Sequence, residues 1–150
     1  VAWCGHYKWV PIFNRTPVYK AHMLVRHFSA PDLQAVHQLL QASGWAHRVG
    51  AAEDLAGLIA ASQRTAVAVE AQQIIGFARA ITDGSSHGYL SMVVVAEPFR
   101  RQGVGQALIQ HIVGEEESIT WVLRAGREGA PEFFAKLGFV ESTVGMELKR

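Results

Sequence analysis

The chain has 150 residues, 49% of them hydrophobic, with 14 lysines and arginines against 13 aspartates and glutamates. This size predicts one domain with its own core, and the balanced charge provides no basic surface of the kind that nucleic-acid binding requires. Cys4 is the one cysteine, which excludes an intrachain disulfide and gives no sign of an oxidising compartment.

Residues 1–22 are rich in aromatic side chains and contain two prolines. Polar residues interrupt any apolar core of a signal peptide here, and no apolar run in the chain reaches the roughly 18 to 20 residues of a membrane helix. We therefore expect neither export nor membrane insertion, and a cytoplasmic location. Our hypothesis is that Trp3, Trp9 and Phe13 dock on the domain or on a neighbouring subunit.

The next segment predicts one strand and two helices. Residues 24–28 alternate weakly in hydropathy and predict a first strand. Residues 29–32, Ser-Ala-Pro-Asp, have the pattern of a capped helix start with proline in the first turn. That helix is expected to stop at Ser43-Gly44, and a second helix is predicted around residues 52–61.

A β-hairpin and a long strand follow. Residues 65–70 and 74–81 are rich in β-branched side chains, and the three residues between them predict a hairpin. A loop over residues 82–86 leads into a strand at residues 87–95. Near-continuous hydrophobicity from Leu90 onward predicts that this strand is buried on both faces in the centre of the sheet.

Directly after that strand comes a basic, glycine-containing turn and then an amphipathic helix that Gly114 ends. The turn reads Arg100-Arg101-Gln102-Gly103-Val104-Gly105. Gly103 and Gly105 remove side chains where backbone N–H groups must face an anion, and the helix N-terminus adds a favourable dipole. The arrangement therefore predicts a site for the pyrophosphate of a phosphate ester.

The residues after this turn exclude the commonest nucleotide motifs. Gln106 follows Gly105 where a P-loop needs Lys and then Ser or Thr, so ATP and GTP are not favoured. Leu108 stands where the dinucleotide fingerprint has Gly or Ala, so nicotinamide and flavin cofactors are not favoured either.

The last third of the chain predicts a strand at residues 119–124, a short helix that Pro131 begins, and a final strand at residues 139–148. This alternation of strands and helices predicts a mixed α/β fold, with a central sheet flanked by helices in a single domain.

Two motifs resemble those of one family. The spacing Arg100-x-x-Gly103-x-Gly105 after a hydrophobic strand resembles the acetyl-CoA signature R/Q-x-x-G-x-G/A of the GCN5-related N-acetyltransferases, the GNAT family. Residues 130–139, APEFFAKLGF, resemble the later helix of that family and its Leu-Gly-Phe turn. The likeness begins near Met23, so residues 23–150 are expected to form the acetyltransferase domain and residues 1–22 an extension of unknown role.

The resemblance implies acetyl-CoA as co-substrate, an amine of a small molecule or peptide as acceptor, and a sheet that splays beside the central strand. In the family, backbone groups of that strand pair with the pantetheine arm, while the turn and the helix start surround the pyrophosphate. The implied coenzyme-binding residues are Val93, Val94, Val95, Arg100, Arg101, Gln102, Gly103, Val104, Gly105, Gln106, Arg127 and Phe134.

Acetyl transfer requires a neutral amine, and a lysine-like amine has a pKa about three units above neutral pH. His87, Tyr89 and Ser91 alternate along the central strand and so share one face. The same period places Val93 and Val95 on that face. We interpret the stripe as catalytic, with His87 as the base, directly or through water held by Tyr89 and Ser91; the alternative is that His87 caps an exposed strand start.

Two positions depart from the family pattern. Phe134 stands where relatives usually have a tyrosine general acid, and Arg127 stands where they often have asparagine. A thiol with a pKa near 8.5 can leave without protonation, so activity can survive the first change. Phe134 and the lack of a carboxylate on the central strand keep a second function open, that of a CoA-binding sensor or regulatory domain.

The remaining expectations concern metals, acceptor contacts and assembly. No histidine pair or cysteine has a metal-ligand spacing, so no metal is expected. Trp45, His47, Glu53 and Asp54 are candidate acceptor contacts because the early helices border the acceptor pocket in the family, with solvated surface as the alternative. Many relatives are dimers, and pairing through the last strands or residues 1–22 is compatible with this.

Overall fold

The computed structural model describes residues 23–149, and the hypothesis about residues 1–22 lies outside them. The described residues fall into two compact units, residues 23–124 and residues 125–149.

The first unit contains a mixed five-stranded sheet with the order β1-β2-β3-β4-β5. Its strands are β1 Met23–His27, β2 Arg64–Glu70, β3 Gln73–Thr82, β4 His87–Val95 and β5 Thr120–Leu123. Neighbouring strands from β1 to β4 are antiparallel, and β5 is parallel to β4. The predicted first strand, hairpin and long strand are all confirmed.

The helices of this unit are α1 Leu33–Leu40, α2 Ala46–Val49, α3 Ala52–Ala60 and α4 Val104–Val113. The predicted cap precedes α1: the Asp32 carboxylate accepts a hydrogen bond from the Ser29 N–H at 2.8 Å and from Arg26 of β1 at 2.7 and 2.8 Å. Gly44, with φ 77°, redirects the chain after α1, as predicted. None of the helices between residues 23 and 149 has the length and apolarity needed to cross a membrane.

The helices cover the two faces of the sheet. Phe77 of β3 belongs to one core cluster with Leu40 of α1 and Leu55 of α3. On the other face, a Cβ added at Gly76 would lie 2.8 Å from the Leu108 side chain of α4, so this helix lies directly on the strand backbone. Since successive side chains of a strand point to opposite faces, Phe77 marks the α1 face of the sheet and Gly76 marks its α4 face.

Strand β4 contains a bulge at Met92. Ser91 lies opposite Arg79 of β3, and Val94 lies opposite Phe77, so β4 advances three residues where β3 advances two. Met92 has φ 52°, which places the extra residue in the left-handed region. Paired residues of an antiparallel ladder share a face, so both Ser91 and Val94 lie on the α1 face.

This bulge corrects the expected polar stripe. Val95 lies opposite Gly76, so Val93 and Val95 lie on the α4 face, whereas Tyr89 and Ser91 lie on the α1 face. The expectation that Val93 and Val95 share one face with His87, Tyr89 and Ser91 is wrong, because the inserted residue resets the period of two.

Strand β4 is also less buried than predicted. Leu90, Met92 and Val94 are buried, but the alternate residues Ser91 and Val95 are only half-buried, and β4 is the fourth strand of five. One cause is the short ladder with β5, which covers only residues 87–90 of β4. The end of this ladder agrees with the splay that the resemblance implies.

The second unit contains α5, Ala130–Ala135, with Pro131 in its first turn as predicted. The Phe134 ring lies edge-to-face against Phe133 and Phe139, at centroid distances of 5.1 and 5.7 Å. The predicted strand at residues 139–148 is wrong. The chain there bends at Thr143 and Val144 and is assigned no strand, so it lacks the ladder hydrogen bonds that stabilise an extended segment.

Candidate active site

The turn after β4 brings a helix N-terminus to the end of the strand. A single 3-10 turn at Glu97–Phe99 follows β4, and α4 starts directly after Gly103. Arg101 and Gly103 have φ values of 59° and 85°, so the chain reverses within a few residues. A Cβ at Gly103 would have nothing within 4 Å. Glycine is therefore favoured there by backbone conformation, and the space beside it is open.

The N-terminus of α4 has no side-chain cap. The first hydrogen bond of the helix joins the Ala107 N–H to the Gly103 carbonyl at 3.0 Å. The N–H groups of Val104, Gly105 and Gln106 therefore have no carbonyl partner within this helix. Free donors at the positive end of a helix dipole favour an anion.

The two arginines of the turn have different surroundings. Arg100 Nε donates to the Val95 carbonyl at 3.0 Å and so ties the turn to β4, and Gln102 Nε2 donates to the Pro98 carbonyl at 3.0 Å. Arg101 is exposed and has no hydrogen bond or ion pair to any residue from 23 to 149. Arg101 is thus the cation of this turn that is available to a phosphate.

A shallow cavity of about 260 Å³ opens at the other end of β4, on the α1 face. Its lining residues are Ile81, Thr82, Asp83, His87, Gly88, Tyr89 and Val122. Two members of the predicted polar stripe, His87 and Tyr89, therefore meet at one cavity. Ser91 lies on the same face of β4, two residues further toward the bulge.

The loop before β4 orients His87. The Asp83 carboxylate accepts hydrogen bonds from the backbone N–H groups of Ser85, Ser86 and His87 at 2.9, 2.8 and 3.1 Å. It also accepts one from the Ser86 hydroxyl. The hydrogen bond from the Ser86 hydroxyl, followed by the three from backbone N–H groups, holds the pKa of Asp83 well below its usual range. The carboxylate is therefore an anion.

Ser86 connects this anion to the imidazole. Its Oγ lies 2.9 Å from His87 Nδ1. Since the one hydroxyl proton goes to Asp83, Nδ1 must carry the ring proton and donate it to Ser86. In the neutral ring the other nitrogen, Nε2, holds a lone pair, which is the form that a general base needs.

Arg79, which no sequence motif singles out, lies opposite Ser91 on the α1 face. Arg79 is only 8% exposed. Its Nη1 donates to Ser62 Oγ at 3.0 Å, and its Nε is buried without a partner. Burial lowers the pKa of Arg79, and the nearby Tyr89 hydroxyl opposes that shift. The sequence does contain one sign of this site, because Arg79 is the one charged residue in the apolar run at residues 74–81.

The other predicted contacts are more dispersed. Asp54 accepts a hydrogen bond from the Ala51 N–H at 2.9 Å at the start of α3, and Trp45 packs against the core cluster. His47 and Glu53 are exposed. The exposure of His47 and Glu53 matches the alternative interpretation, solvated surface, and the acceptor contacts stay predictions.

Arg127 and Phe134 lie in the second unit. Arg127 is exposed and Phe134 is half-buried within its aromatic cluster, so their coenzyme-binding roles stay predictions. Among residues 23–149, no group of three or more His, Cys, Asp or Glu could hold a metal ion. His27 and His111 form an edge-to-face ring pair at 4.8 Å, in which burial lowers the pKa of His111.

Residues 61–141, more than half of the chain, match the family model described as the acetyltransferase (GNAT) domain. The chain therefore belongs to the GNAT family of acetyltransferases, whose general acetyl donor is acetyl-CoA. None of the curated protein sequences matches the chain.

Solved structures share the fold at low sequence identity. A probable acetyltransferase of unknown function from meticillin-resistant Staphylococcus aureus is 20% identical with a TM-score of 0.69, covering 85% of this chain and 99% of that one. An acetyltransferase from Trypanosoma brucei is 24% identical with a TM-score of 0.67, at 85% and 99% coverage. Ard1 from Thermoplasma volcanium is 23% identical with a TM-score of 0.68, at 81% and 85% coverage. The predicted fold class, a GNAT-like mixed sheet flanked by helices in a single domain, is confirmed.

Proposed function

We propose that this protein is an acetyl-CoA-dependent N-acetyltransferase that acetylates a primary amine of a small molecule or peptide. The observation that carries the proposal is the start of α4, which has no side-chain cap and directly follows the left-handed Gly103. This helix start lies within the segment after β4 that resembles the family signature. It joins free backbone donors, an exposed arginine and an open approach, which are the requirements for holding a pyrophosphate.

The residues present fit the coenzyme at two places. The N–H groups of residues 104–106, aided by Arg101, offer donors to the pyrophosphate. Past Leu90 the β4–β5 ladder has ended, so the backbone of residues 93–95 has an edge at which the pantetheine arm can pair. Acetyl-CoA supplies the acetyl group as a thioester when it is bound.

The acceptor amine must lose a proton before it attacks the acetyl group. His87 Nε2 is the base that the Asp83–Ser86 hydrogen bonds prepare, but His87 and Val93 lie six positions apart along β4. At about 3.3 Å per residue this is about 20 Å along the strand, which is too far for direct transfer. We therefore assign His87 the role of a base that acts through water, along the half-buried Tyr89 and Ser91 of the same face.

Protonation of the leaving thiolate has no obvious donor at the family position. Phe134 has no hydroxyl, so Tyr89 or solvent has to serve instead, or the thiolate leaves unprotonated. This departure, together with the lack of a carboxylate on β4, favours the second candidate function, a CoA-binding sensor that performs no transfer.

Two measurements on the purified chain separate these functions. We expect acetyl-CoA to raise the melting temperature and thiol to be released above background across a panel of amines. A rise in melting temperature without thiol release from any amine would favour the sensor. Absence of both effects would reject the coenzyme site itself.

A further inference from the structure

We propose that Arg79 binds a carboxylate on the acceptor, which makes small aminocarboxylates the substrate class of this site. The proposal rests on the acetyltransferase function proposed above and names its acceptor. It rests on geometry: the guanidinium of Arg79 is buried, most of its N–H donors have no partner, and it lies beside Tyr89 and Ser91.

Arg79 is a buried cation without a counter-ion. It is 8% exposed, and no carboxylate among residues 23–149 forms an ion pair with it. Of the five N–H donors of a guanidinium, one is used, on Ser62 Oγ. That hydroxyl in turn donates to the Leu58 carbonyl at 2.7 Å, so Ser62 is a neutral partner. Burying a charge in this way is unfavourable unless an anion pairs with it.

Arg64, on the neighbouring strand, shows how this fold satisfies a structural arginine. Its Nη1 donates to the carbonyls of Ile112 and Val113 at 2.8 and 3.0 Å, and its Nη2 pairs with Glu116 at 2.9 Å. The guanidinium also lies over the Trp121 ring, 5.5 Å from its centroid. Arg79 has none of these forms of compensation, so its unused donors are particular to its position.

That position adjoins the predicted site of transfer. Arg79 lies opposite Ser91, directly before the Met92 bulge, and two pairs along the ladder from Ile81 and Tyr89, which line the cavity. The planar fork of an arginine matches the two oxygens of a carboxylate. A carboxylate there would neutralise Arg79 and would have the hydroxyls of Tyr89 and Ser91 on the same face.

The test compares matched acceptors that differ only in the anionic group. Glycine, β-alanine and 4-aminobutyrate are each compared with the alkylamine of the same length, with kcat/KM as the readout. We expect the best carboxylated acceptor to exceed its alkylamine by at least tenfold. In Arg79→Met this preference disappears, because kcat/KM falls for the carboxylated acceptor and much less for the alkylamine, whereas the dissociation constant of acetyl-CoA stays unchanged. Equal use of both classes by the wild type, or an equal loss on both in the variant, would overturn the proposal.

An aminoalkylphosphonate of the same length forms a third arm, because phosphate and carboxylate share the same recognition chemistry. We expect the carboxylate to be preferred. A tenfold preference for the phosphonate would overturn the carboxylate assignment.

Arg64→Met is the matched control. It removes an arginine with full partners, so its melting temperature should fall and its acceptor preference should remain. Arg79→Met removes an uncompensated charge, so it should melt no lower than the wild type. A fall like that of Arg64→Met with unchanged acceptor preference would show that Arg79 is structural.

Arg79→Lys is the second variant, for the case in which Arg79→Met does not fold. It keeps the positive charge but not the planar fork of the guanidinium, so we expect it to lose part of the preference for carboxylated acceptors. An unaltered preference in this variant would count against the proposal.

A failure of the acetyltransferase function is distinguishable from a failure of this site. Thiol release that stays at background with every amine, despite binding of acetyl-CoA, rejects catalysis. The site is then tested with N-acetyl-β-alanine and N-propylacetamide in the presence of CoA. A rise in melting temperature with the carboxylated compound alone, lost in Arg79→Met, supports the carboxylate site, and the lack of such a rise overturns it.

Discussion

Ser91 and Arg79 lie opposite each other in the β3–β4 ladder, and the left-handed Met92 follows Ser91 directly. Before this bulge the half-buried side chains of β4 lie on the α1 face, and after it they lie on the α4 face. The bulge therefore separates the strand into a polar half, with Tyr89 and Ser91, and an apolar half that leads to the glycine turn. The proton chemistry and the coenzyme binding that we propose would therefore use different halves of one strand.

Glycine at position 103 is expected to matter for its backbone conformation. Since φ is 85° there, Gly103→Ala should lower the free energy of unfolding by about 1 to 2 kcal/mol and weaken acetyl-CoA binding. Gly57→Ala is the matched control, because Gly57 lies exposed in α3 with nothing within 4 Å of an added Cβ. It should stabilise the protein by about 0.5 to 1 kcal/mol. Denaturant titrations and calorimetry measure both, and a shift of the same sign in the two variants would contradict this explanation.

Gly88 makes room for an indole ring. It lies opposite Trp121 in the β4–β5 ladder, and an added Cβ would overlap that ring. Gly88→Ala should therefore cost about 1 to 3 kcal/mol of stability. In a Trp121→Leu background the same substitution should cost clearly less, as a double-mutant cycle would show. Additive losses would mean that the ring is not the cause.

His87 is expected to act as the base in turnover. His87→Ala should lower kcat by about 100-fold or more, because no base then accepts the proton of the amine. Ser86→Ala breaks the link between Asp83 and the imidazole but leaves the base, so it should cause a smaller loss. Unchanged turnover in His87→Ala would exclude the assigned role.

The Arg26–Asp32 pair should stabilise the fold against acid. Hydrogen bonds from Arg26 lower the pKa of Asp32 from 3.8 to about 2. A carboxylate with a depressed folded-state pKa contributes stability above its unfolded value, and this is lost as the pH falls through about 4 to 2. Asp32→Asn should be less stable at neutral pH, by about 1 to 2 kcal/mol, and should lose less on acidification. Parallel pH curves for the two proteins would contradict this account.

Much of the fold could be predicted from local signals. The cap at residues 29–32, the hairpin and the strand before the glycine turn each combine a periodic pattern with a specific turn residue. Gly103 was identified because it removes a side chain where backbone N–H groups must face an anion, and the structure adds that its backbone is left-handed.

The rest depends on tertiary structure. Methionine at position 92 gives no sign of a positive φ, so the bulge that moves Val93 and Val95 to the other face could not be foreseen. Residues 139–148 alternate like a strand, but a strand exists only where a partner pairs with it. Arg79 was missed because burial of a charge is a property of its neighbours.

The most direct test of the central claim is a calorimetric titration of the purified protein with acetyl-CoA. The pyrophosphate site at residues 101–106 predicts saturable binding to a single site, weakened by Arg101→Ala and by Gly103→Ala. A titration that shows no heat of binding for acetyl-CoA or for CoA, or binding that neither substitution changes, would contradict it.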